Sequence, residues 1–105
     1  MINLITRLIS MNSTKDKITC DIVKAEVNYL SNTLELMRDE RKISNDAYLD
    51  YGSIQGGLSV ISNLLEQGIA DLEIDSLLNT LLERTKALDE KYPYLNGILE
   101  SYRII

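Results

Sequence analysis

The amino-acid sequence predicts an all-α protein, a small antiparallel helical bundle of four to five helices. Apolar residues recur every three or four positions in two long segments, as they do along one face of a helix. The first segment contains Cys20, Val23, Val27, Leu30, Leu34 and Met37, and the second contains Ala47, Tyr51, Ile54, Leu58, Ile61 and Leu65. Nothing in the chain reads as a strand, a linker or a long-period repeat. Each apolar face must be covered by another helix.

Length and charge limit the number of domains and the kinds of partner that the chain can have. A chain of 105 residues fits a single domain, here 1–105. Sixteen acidic against eleven basic residues give a formal net charge of -5 and a pI near 4.6. The densest basic cluster, Arg38, Arg41 and Lys42, is interrupted by two acids. We therefore expect no nucleic-acid partner, because phosphate binding relies on clustered Lys and Arg.

The first eleven residues predict a short amphipathic helix, since Ile2, Ile5, Leu8 and Ile9 share a helical face. Three places are open to it: the domain core, a partner, or a membrane surface, and in the last two it would be peripheral. Membrane-surface helices usually carry several Lys or Arg, which disfavours the third. No apolar run approaches the roughly 20 residues of a membrane span. Because the segment also makes a poor signal peptide, we expect a cytoplasmic protein.

The first long helix is predicted from about 15 to 42, after the potential capping residues Asn12, Ser13 and Thr14. Ser44 is a plausible cap for a second helix from about 45 to 67. The short connection between them favours antiparallel neighbours. Gly68 is expected to end the second helix in the position that follows a helix C-cap.

Three glycines, Gly52, Gly56 and Gly57, lie inside the second helix. Each costs a helix interior about 0.5 to 1 kcal/mol relative to alanine. The sequence leaves two explanations open. The helix breaks or kinks at the glycines, or Gly52 and Gly56, one turn apart, allow another backbone to approach closely.

A third helix is predicted from about 71 to 91, capped by Asp71 or Asp75. Its apolar positions are Leu72, Ile74, Leu77, Leu78, Leu81, Leu82 and Leu88. Pro93 stops it and is expected to be the first residue of a short final helix. Leu95, Ile98, Leu99 and Tyr102 share one face of that last helix.

Residues that carry chemistry are scarce. The chain has no histidine and one cysteine, which removes His-based catalysis and a zinc site of sulfur and nitrogen ligands. A calcium loop starting at Asp71 fails because Ser76 replaces its glycine and Leu82 its final glutamate. A pair such as Asp46 and Asp50 is the remaining route to catalysis, and this spacing is common on surface helices. We predict no enzyme activity, no metal and no cofactor.

The aromatic residues are six tyrosines, without Phe or Trp. Tyrosine combines apolar area with a hydroxyl group, which suits half-buried bundle rims and also partner interfaces. Two groups stand out, one beside the glycines and one near the C-terminus. The candidate partner-binding residues are Tyr48, Tyr51, Gly52, Gly56, Tyr94 and Tyr102.

Two families share short features with the chain. Residues 64–69, Leu-Leu-Glu-Gln-Gly-Ile, precede a leucine-rich helix and resemble a stretch of the MOZART family of gamma-tubulin-complex adaptors. That family usually has Asn-Pro where this chain has Ala70 and Asp71. The size, the helices and the Leu-x-x-Gly-Ile element are also similar to the immunity proteins of class IIa bacteriocins, which are four-helix bundles. Those proteins are commonly basic, whereas this chain is acidic.

The sequence therefore favours a non-enzymatic protein–protein interaction module, a small adaptor or inhibitor that acts through an apolar or tyrosine-rich helix face. An alternative is an immunity protein that neutralises a toxin by occluding its target. A third hypothesis is a homo-oligomeric structural bundle. The expected partner is another protein or a second copy of the chain.

Overall fold

The computed structural model describes residues 2–12 and 18–103. These residues form five helices and no strand, which confirms the predicted all-α class. The helices are α1 (Ile2–Asn12), α2 (Cys20–Asp39), α3 (Asn45–Glu66), α4 (Asp71–Lys91) and α5 (Leu95–Arg103).

Helices α2, α3 and α4 pack side by side with alternating directions. Cys20 Sγ at the start of α2 lies 3.4 Å from Ser62 Oγ near the end of α3. At the other end, the Arg38 guanidinium lies 4.4 Å from the ring centre of Tyr48. These contacts show that α2 and α3 are antiparallel, as the short connection between them predicts. Helix α4 then packs on α3 and α1, and α5 packs on α2.

The apolar residues that define α2 and α3 form the core. Val23, Leu30 and Met37 of α2 are fully buried. The second segment supplies Ala47, Tyr51, Ile54, Leu58 and Ile61, each at most 1% exposed. Both predicted apolar faces are therefore internal. Cys20 and Leu65 at their ends, and Val27 within the first face, are half-buried.

Helix α1 docks on the core, the first of the three places open to it. Leu4 and Ile5 are fully buried, although Leu4 was absent from the predicted face. Asn12 Nδ2 donates to a carboxylate oxygen of Asp75 in α4 at 2.8 Å. An ion pair of 3.7 Å joins Arg7 to Glu100 and so links α1 with α5.

Helix α2 begins five residues later than predicted. Thr19 is its N-cap, and the Thr19 hydroxyl accepts a hydrogen bond from the amide of Ile22 at 3.2 Å. Ile18 lies just before the helix, is not helical, and has a buried side chain. Of the predicted caps, Asn12 instead ends α1, and Ser13 and Thr14 lie outside the described residues.

The ends of α2 and α3 have the same geometry. Arg41 and Gly68 adopt positive φ angles of 59° and 80°. The amide of Lys42 donates to the carbonyl of Met37, and the amide of Ile69 donates to the carbonyl of Leu64. Both ends are Schellman motifs. The role predicted for Gly68 is confirmed, whereas the first helix ends before the predicted residue 42.

Ser44 caps α3 as predicted, because its hydroxyl accepts a hydrogen bond from the Ala47 amide at 3.1 Å. The predicted bounds of the third helix, 71 to 91, are those of α4, but its predicted cap is wrong, and so is the predicted start of the final helix. Helix α4 begins directly after Ala70, which is its N-cap, so neither Asp71 nor Asp75 has that position. Helix α5 begins at Leu95, because Pro93 still belongs to the turn.

The predicted apolar face of α4 is also too wide. Leu72 is 83% exposed, whereas Ile74, Leu78 and Leu81 are buried. Leu72 lies on the side of the helix away from the bundle, because the core-facing positions follow the spacing 74, 78, 81 and 85. At the last of these positions the core accepts Thr85, whose hydroxyl donates to the carbonyl of Leu81 at 2.7 Å.

Candidate functional site

Tyr51 lies inside the bundle, which corrects its assignment as a partner-binding residue. It is 1% exposed, and its hydroxyl donates to a carboxylate oxygen of Asp89 at 2.7 Å. Its ring centre lies 6.0 Å from that of Tyr92. Burial and the hydrogen bond to Asp89 raise the pKa of Tyr51 far above its ordinary value of 10. The side chain ties α3 to α4 and is not available to a partner.

Tyr48 and Tyr102 contact other helices of the same chain. The half-buried ring of Tyr48 packs under the Arg38 guanidinium of α2. The Tyr102 hydroxyl donates to a Glu40 carboxylate oxygen at 3.1 Å, and Lys42 Nζ lies 5.0 Å from the Tyr102 ring centre. Tyr48 thus contacts α2 and Tyr102 contacts the turn that follows α2, which agrees with the rim role of tyrosine.

A third set of contacts joins the start of α3 to the end of α4. The Tyr92 hydroxyl and Lys91 Nζ both donate to the same carboxylate oxygen of Asp50, at 2.9 and 3.2 Å. These two hydrogen bonds, that from Tyr92 first, lower the pKa of Asp50. Tyr94, in the adjoining turn, is 53% exposed. The six candidates therefore do not form one surface.

Arg103 forms a cluster that the sequence did not reveal. Its guanidinium makes two hydrogen bonds to the Glu26 carboxylate, at 2.8 and 3.3 Å, and lies 3.9 Å from the ring centre of Tyr29. The Tyr29 hydroxyl donates to the Leu99 carbonyl. Because the partners are 70 or more positions apart, spacing along the chain gives no signal for them. The cluster fastens α5 to α2.

The glycines of α3 have different surroundings, and the helix continues through all three. A Cβ atom on Gly57 would lie 2.6 Å from Leu81 Cδ2, so α4 packs closely there. At Gly52 and Gly56, a Cβ atom would meet no atom of another part of the described chain within 4 Å. The helix break is thus excluded. Only Gly57 is explained by packing inside this chain.

The side of α3 opposite the core is exposed, and α3 contributes no charged side chain to it between Asp50 and Glu66. We call it the α3 outer face and define it as Leu49, Gly52, Ser53, Gly56 and Val60. The large side chains at its ends are open, with Leu49 68% and Val60 53% exposed. Residues 51–65 contain no charged side chain, although 26% of the chain is charged. Depletion of charge with exposed apolar groups is typical of the centre of a protein interface.

A shallow apolar groove of about 170 Å³ adjoins this face between α3 and α4, and we call it the α3–α4 groove. Gly57 and Leu81, which contact each other closely, both line it. Arg84 closes one end, where its guanidinium donates to Ser53 Oγ at 3.0 Å. The lining residues are Gly57, Val60, Ile61, Leu77, Thr80, Leu81 and Arg84.

A second groove, of about 560 Å³, lies between α2 and α5. Leu36, 45% exposed, is its most open apolar side chain. Tyr29 and Tyr102 line it, and the charged groups of Glu40 and Lys42 flank it. The hydroxyls of both tyrosines already donate hydrogen bonds within the chain, that of Tyr29 to the Leu99 carbonyl and that of Tyr102 to Glu40.

Within residues 2–12 and 18–103, no group of three or more Cys, Asp or Glu side chains is placed to hold a metal ion. None of the helices in this part of the chain combines the length and the apolar character needed to cross a membrane. The thiol of Cys20 is half-buried beside Ser62.

Comparison with protein families, with curated proteins and with solved structures finds no match for this chain. The resemblances to the MOZART family and to bacteriocin immunity proteins therefore rest on residues 64–69 and the helical pattern alone.

Proposed function

We propose that this protein is a non-enzymatic protein-interaction module that binds through the α3 outer face and the α3–α4 groove. The observation that carries the proposal is an exposed stretch of α3 that has no charged side chain of its own, on a helix whose opposite side is the core. Leu49 and Val60 supply apolar area at its two ends, and glycines lie between them.

The energetics favour burial of this surface by a partner. Apolar area removed from water contributes about 25 cal/mol per Å², so covering each of the two exposed side chains contributes about 1 kcal/mol. No charged side chain of residues 51–65 has to be desolvated. Charged groups are costly to bury unless they are paired, and Arg84, which donates to Ser53 Oγ, is the charged group that adjoins this face.

The shape of the α3–α4 groove favours a helix as the part of the partner that binds there. A groove between two helices accepts the apolar face of a third, with its anchors one turn apart. Gly52 and Gly56 leave room for close approach of a backbone, as the second explanation of the glycines requires. The partner side chain nearest Gly57 would enter the groove above Leu81.

Affinity capture with single-residue variants tests the proposal. We expect the wild-type chain to retain a stoichiometric protein partner from the lysate of its source. Gly56→Glu should lose that partner, because it places a charge at the centre of the face. Ser76→Glu adds the same charge on the exposed side of α4 and should retain it.

Retention of the partner by Gly56→Glu would contradict the proposal. The alternative hypothesis gives another result. A chain that captures nothing from this lysate, but protects cells exposed to a bacteriocin, would be an immunity protein.

A further inference from the structure

Asn96 is followed directly by Gly97 at the start of α5. An asparagine side chain can be attacked by the backbone amide nitrogen of the residue that follows it. Glycine at that position leaves the path of the nitrogen open, because it has no side chain. Each of the other asparagines of the chain precedes a residue with a side chain. Asn96 is therefore the asparagine whose neighbour hinders this attack least.

The amide nitrogen of Gly97 is not held by the helix. In the first turn of a helix, the amides have no carbonyl partner four positions earlier within the helix. The amide of Leu95 donates to the Tyr92 carbonyl at 3.1 Å, and the amide of Ile98 donates to the Tyr94 carbonyl at 3.4 Å. The amide of Gly97 makes no such bond to any residue that the structure describes. Its nitrogen can react without first breaking a hydrogen bond.

Solvent reaches both residues. Gly97 is exposed, and a Cβ atom added to it would meet no atom of another described part of the chain within 4 Å. Asn96 borders a shallow surface groove of about 500 Å³ between α4 and α5. Water can therefore enter at the Asn96 side chain, and a small leaving group can diffuse away from it.

The helical backbone limits the reaction, because it holds the Gly97 nitrogen away from the Asn96 side-chain carbon. The first turn of α5 must open before the two atoms meet. Helix α5 has nine residues, and so short a helix is stable only when it is docked. In its docking cluster, Glu100 Oε1 and Arg103 Nε are buried without a hydrogen-bond partner in the described part of the chain, which makes docking less favourable. Local opening of α5 thus gives access to the reactive geometry.

We propose that Asn96 is a site of spontaneous deamidation, and that its isoaspartate product releases α5 from the bundle. The Gly97 nitrogen forms a bond to the side-chain carbonyl carbon of Asn96. The bond from that carbon to the side-chain nitrogen breaks, and ammonia leaves with the proton that the Gly97 nitrogen gives up. Water then opens the resulting five-membered imide ring at either of its two carbonyl carbons. The products are aspartate and isoaspartate, and no oxidant or reductant is needed.

The two products have different effects on α5. Aspartate at position 96 places a negative charge in the first turn, where it suits the helix dipole. Isoaspartate adds the former side-chain methylene group to the backbone. This extra atom lies between Leu95 and Leu99, the two residues of α5 that are buried in the core. With a longer backbone between them, the two leucines cannot both keep their places on one helical face.

Mass spectrometry of the full chain, incubated in mildly alkaline buffer, tests the site. Trypsin releases the peptide 92–103, in which Asn96 has the sole side-chain amide. We expect this peptide to be converted into two species that carry OH in place of NH2 and separate by chromatography. Gly97→Ala should slow the conversion about tenfold or more, because the added Cβ hinders the nitrogen and fits the open space without disturbing the fold. Arg103→Lys should speed it several-fold, because α5 opens more often.

Hydrogen exchange tests the consequence. The amides of residues 98–103 should exchange several-fold faster in the isoaspartate form than in the fresh chain. Asn96→Asp should exchange like the wild type. An Asn96 that stays intact in the folded chain, over a period in which the chain unfolded in urea loses it, would overturn the site. Equal exchange in the isoaspartate form and in Asn96→Asp would overturn the release of α5.

Discussion

Gly57 of α3 and Leu81 of α4 are in such close contact that a Cβ atom on the glycine would lie 2.6 Å from Leu81 Cδ2. The corresponding position on Gly56 is open. We predict that Gly57→Ala destabilises the protein by about 0.5 to 2 kcal/mol, because moving the buried Leu81 costs about 1 to 3 kcal/mol and the helix-forming gain of alanine offsets about 0.5 to 1 kcal/mol of it. Gly56→Ala should stabilise it by about 0.5 to 1 kcal/mol. Urea unfolding at a concentration that keeps the chain monomeric measures the free energy of unfolding of both variants. If the two substitutions changed it in the same direction, the packing described would be contradicted.

Two leucines test which apolar face is the core. Leu30 is fully buried, whereas Leu49 is 68% exposed. Leu30→Ala should lower the free energy of unfolding by about 2 to 5 kcal/mol. Leu49→Ala should change it by less than about 0.5 kcal/mol in the monomer. A small effect of Leu30→Ala in thermal or chemical unfolding would show that α2 does not face the core.

Helices α2 and α3 end in the same motif, with arginine at the positive-φ position of one and glycine at that of the other. We therefore predict that adding glycine at the first and removing it at the second change stability in opposite directions. Arg41 adopts a positive φ of 59°, which costs a side chain about 1 to 2 kcal/mol. Arg41→Gly should therefore raise stability by about 0.5 to 1 kcal/mol, after the entropy that glycine adds to the unfolded chain. Gly68→Ala, at a φ of 80°, should lower stability by about 1 kcal/mol. Thermal melts followed by circular dichroism compare the two variants with the wild type. A lower melting temperature for Arg41→Gly would show that the backbone at Arg41 is not strained.

Tyr51 predicts a loss of stability in alkali. Its pKa is raised in the folded chain, so above pH 10 the unfolded chain releases the proton while the folded chain keeps it. Stability that is complete below about pH 10 is then lost as the pH rises, by about 1.4 kcal/mol per pH unit for this group.

Tyr51→Phe removes this loss and the hydrogen bond to Asp89. The variant should be about 1 to 2 kcal/mol less stable at pH 7 and should depend less steeply on pH above 10. Urea unfolding at a series of pH values measures both effects. Equal slopes for wild type and variant would show that Tyr51 titrates normally.

Arg103 is predicted to control how firmly α5 is docked. Lysine cannot reproduce its paired hydrogen bonds to Glu26 or its stacking on Tyr29. Arg103→Lys should increase hydrogen exchange of the amides in 95–103 several-fold and leave the centres of α2 and α3 protected. Arg7→Lys is a control, because Arg7 makes a longer, more exposed ion pair with Glu100. Unchanged exchange in α5 would contradict this role.

The sequence predicted the helices and the inward faces of α2 and α3 because these depend on local spacing. It also predicted the Ser44 cap and the turn at Gly68, which need only nearby residues. The predictions fail where contacts between residues far apart in the chain determine the structure. Ile18 is buried in front of α2, and that helix begins at Cys20 after the Thr19 cap.

The candidate site was predicted less well than the fold. Tyr51 occupies a core position in the apolar spacing of α3, and it is buried although tyrosine is also common at surfaces. The sequence treats the three glycines alike, and only the packed structure separates Gly57 from Gly52 and Gly56. Contacts such as Arg103 with Glu26 join residues 77 positions apart, so they become visible only after the helices pack.

The central claim, that the α3 outer face is where this protein binds, is tested most directly by NMR. Backbone amide spectra would be recorded as the chain is concentrated, and again when a captured partner is added. We predict that the shifts that change map to residues 49–60 of α3 and to 77–84 of α4. Changes centred on Leu36 and Tyr102, in the groove between α2 and α5, would contradict the account.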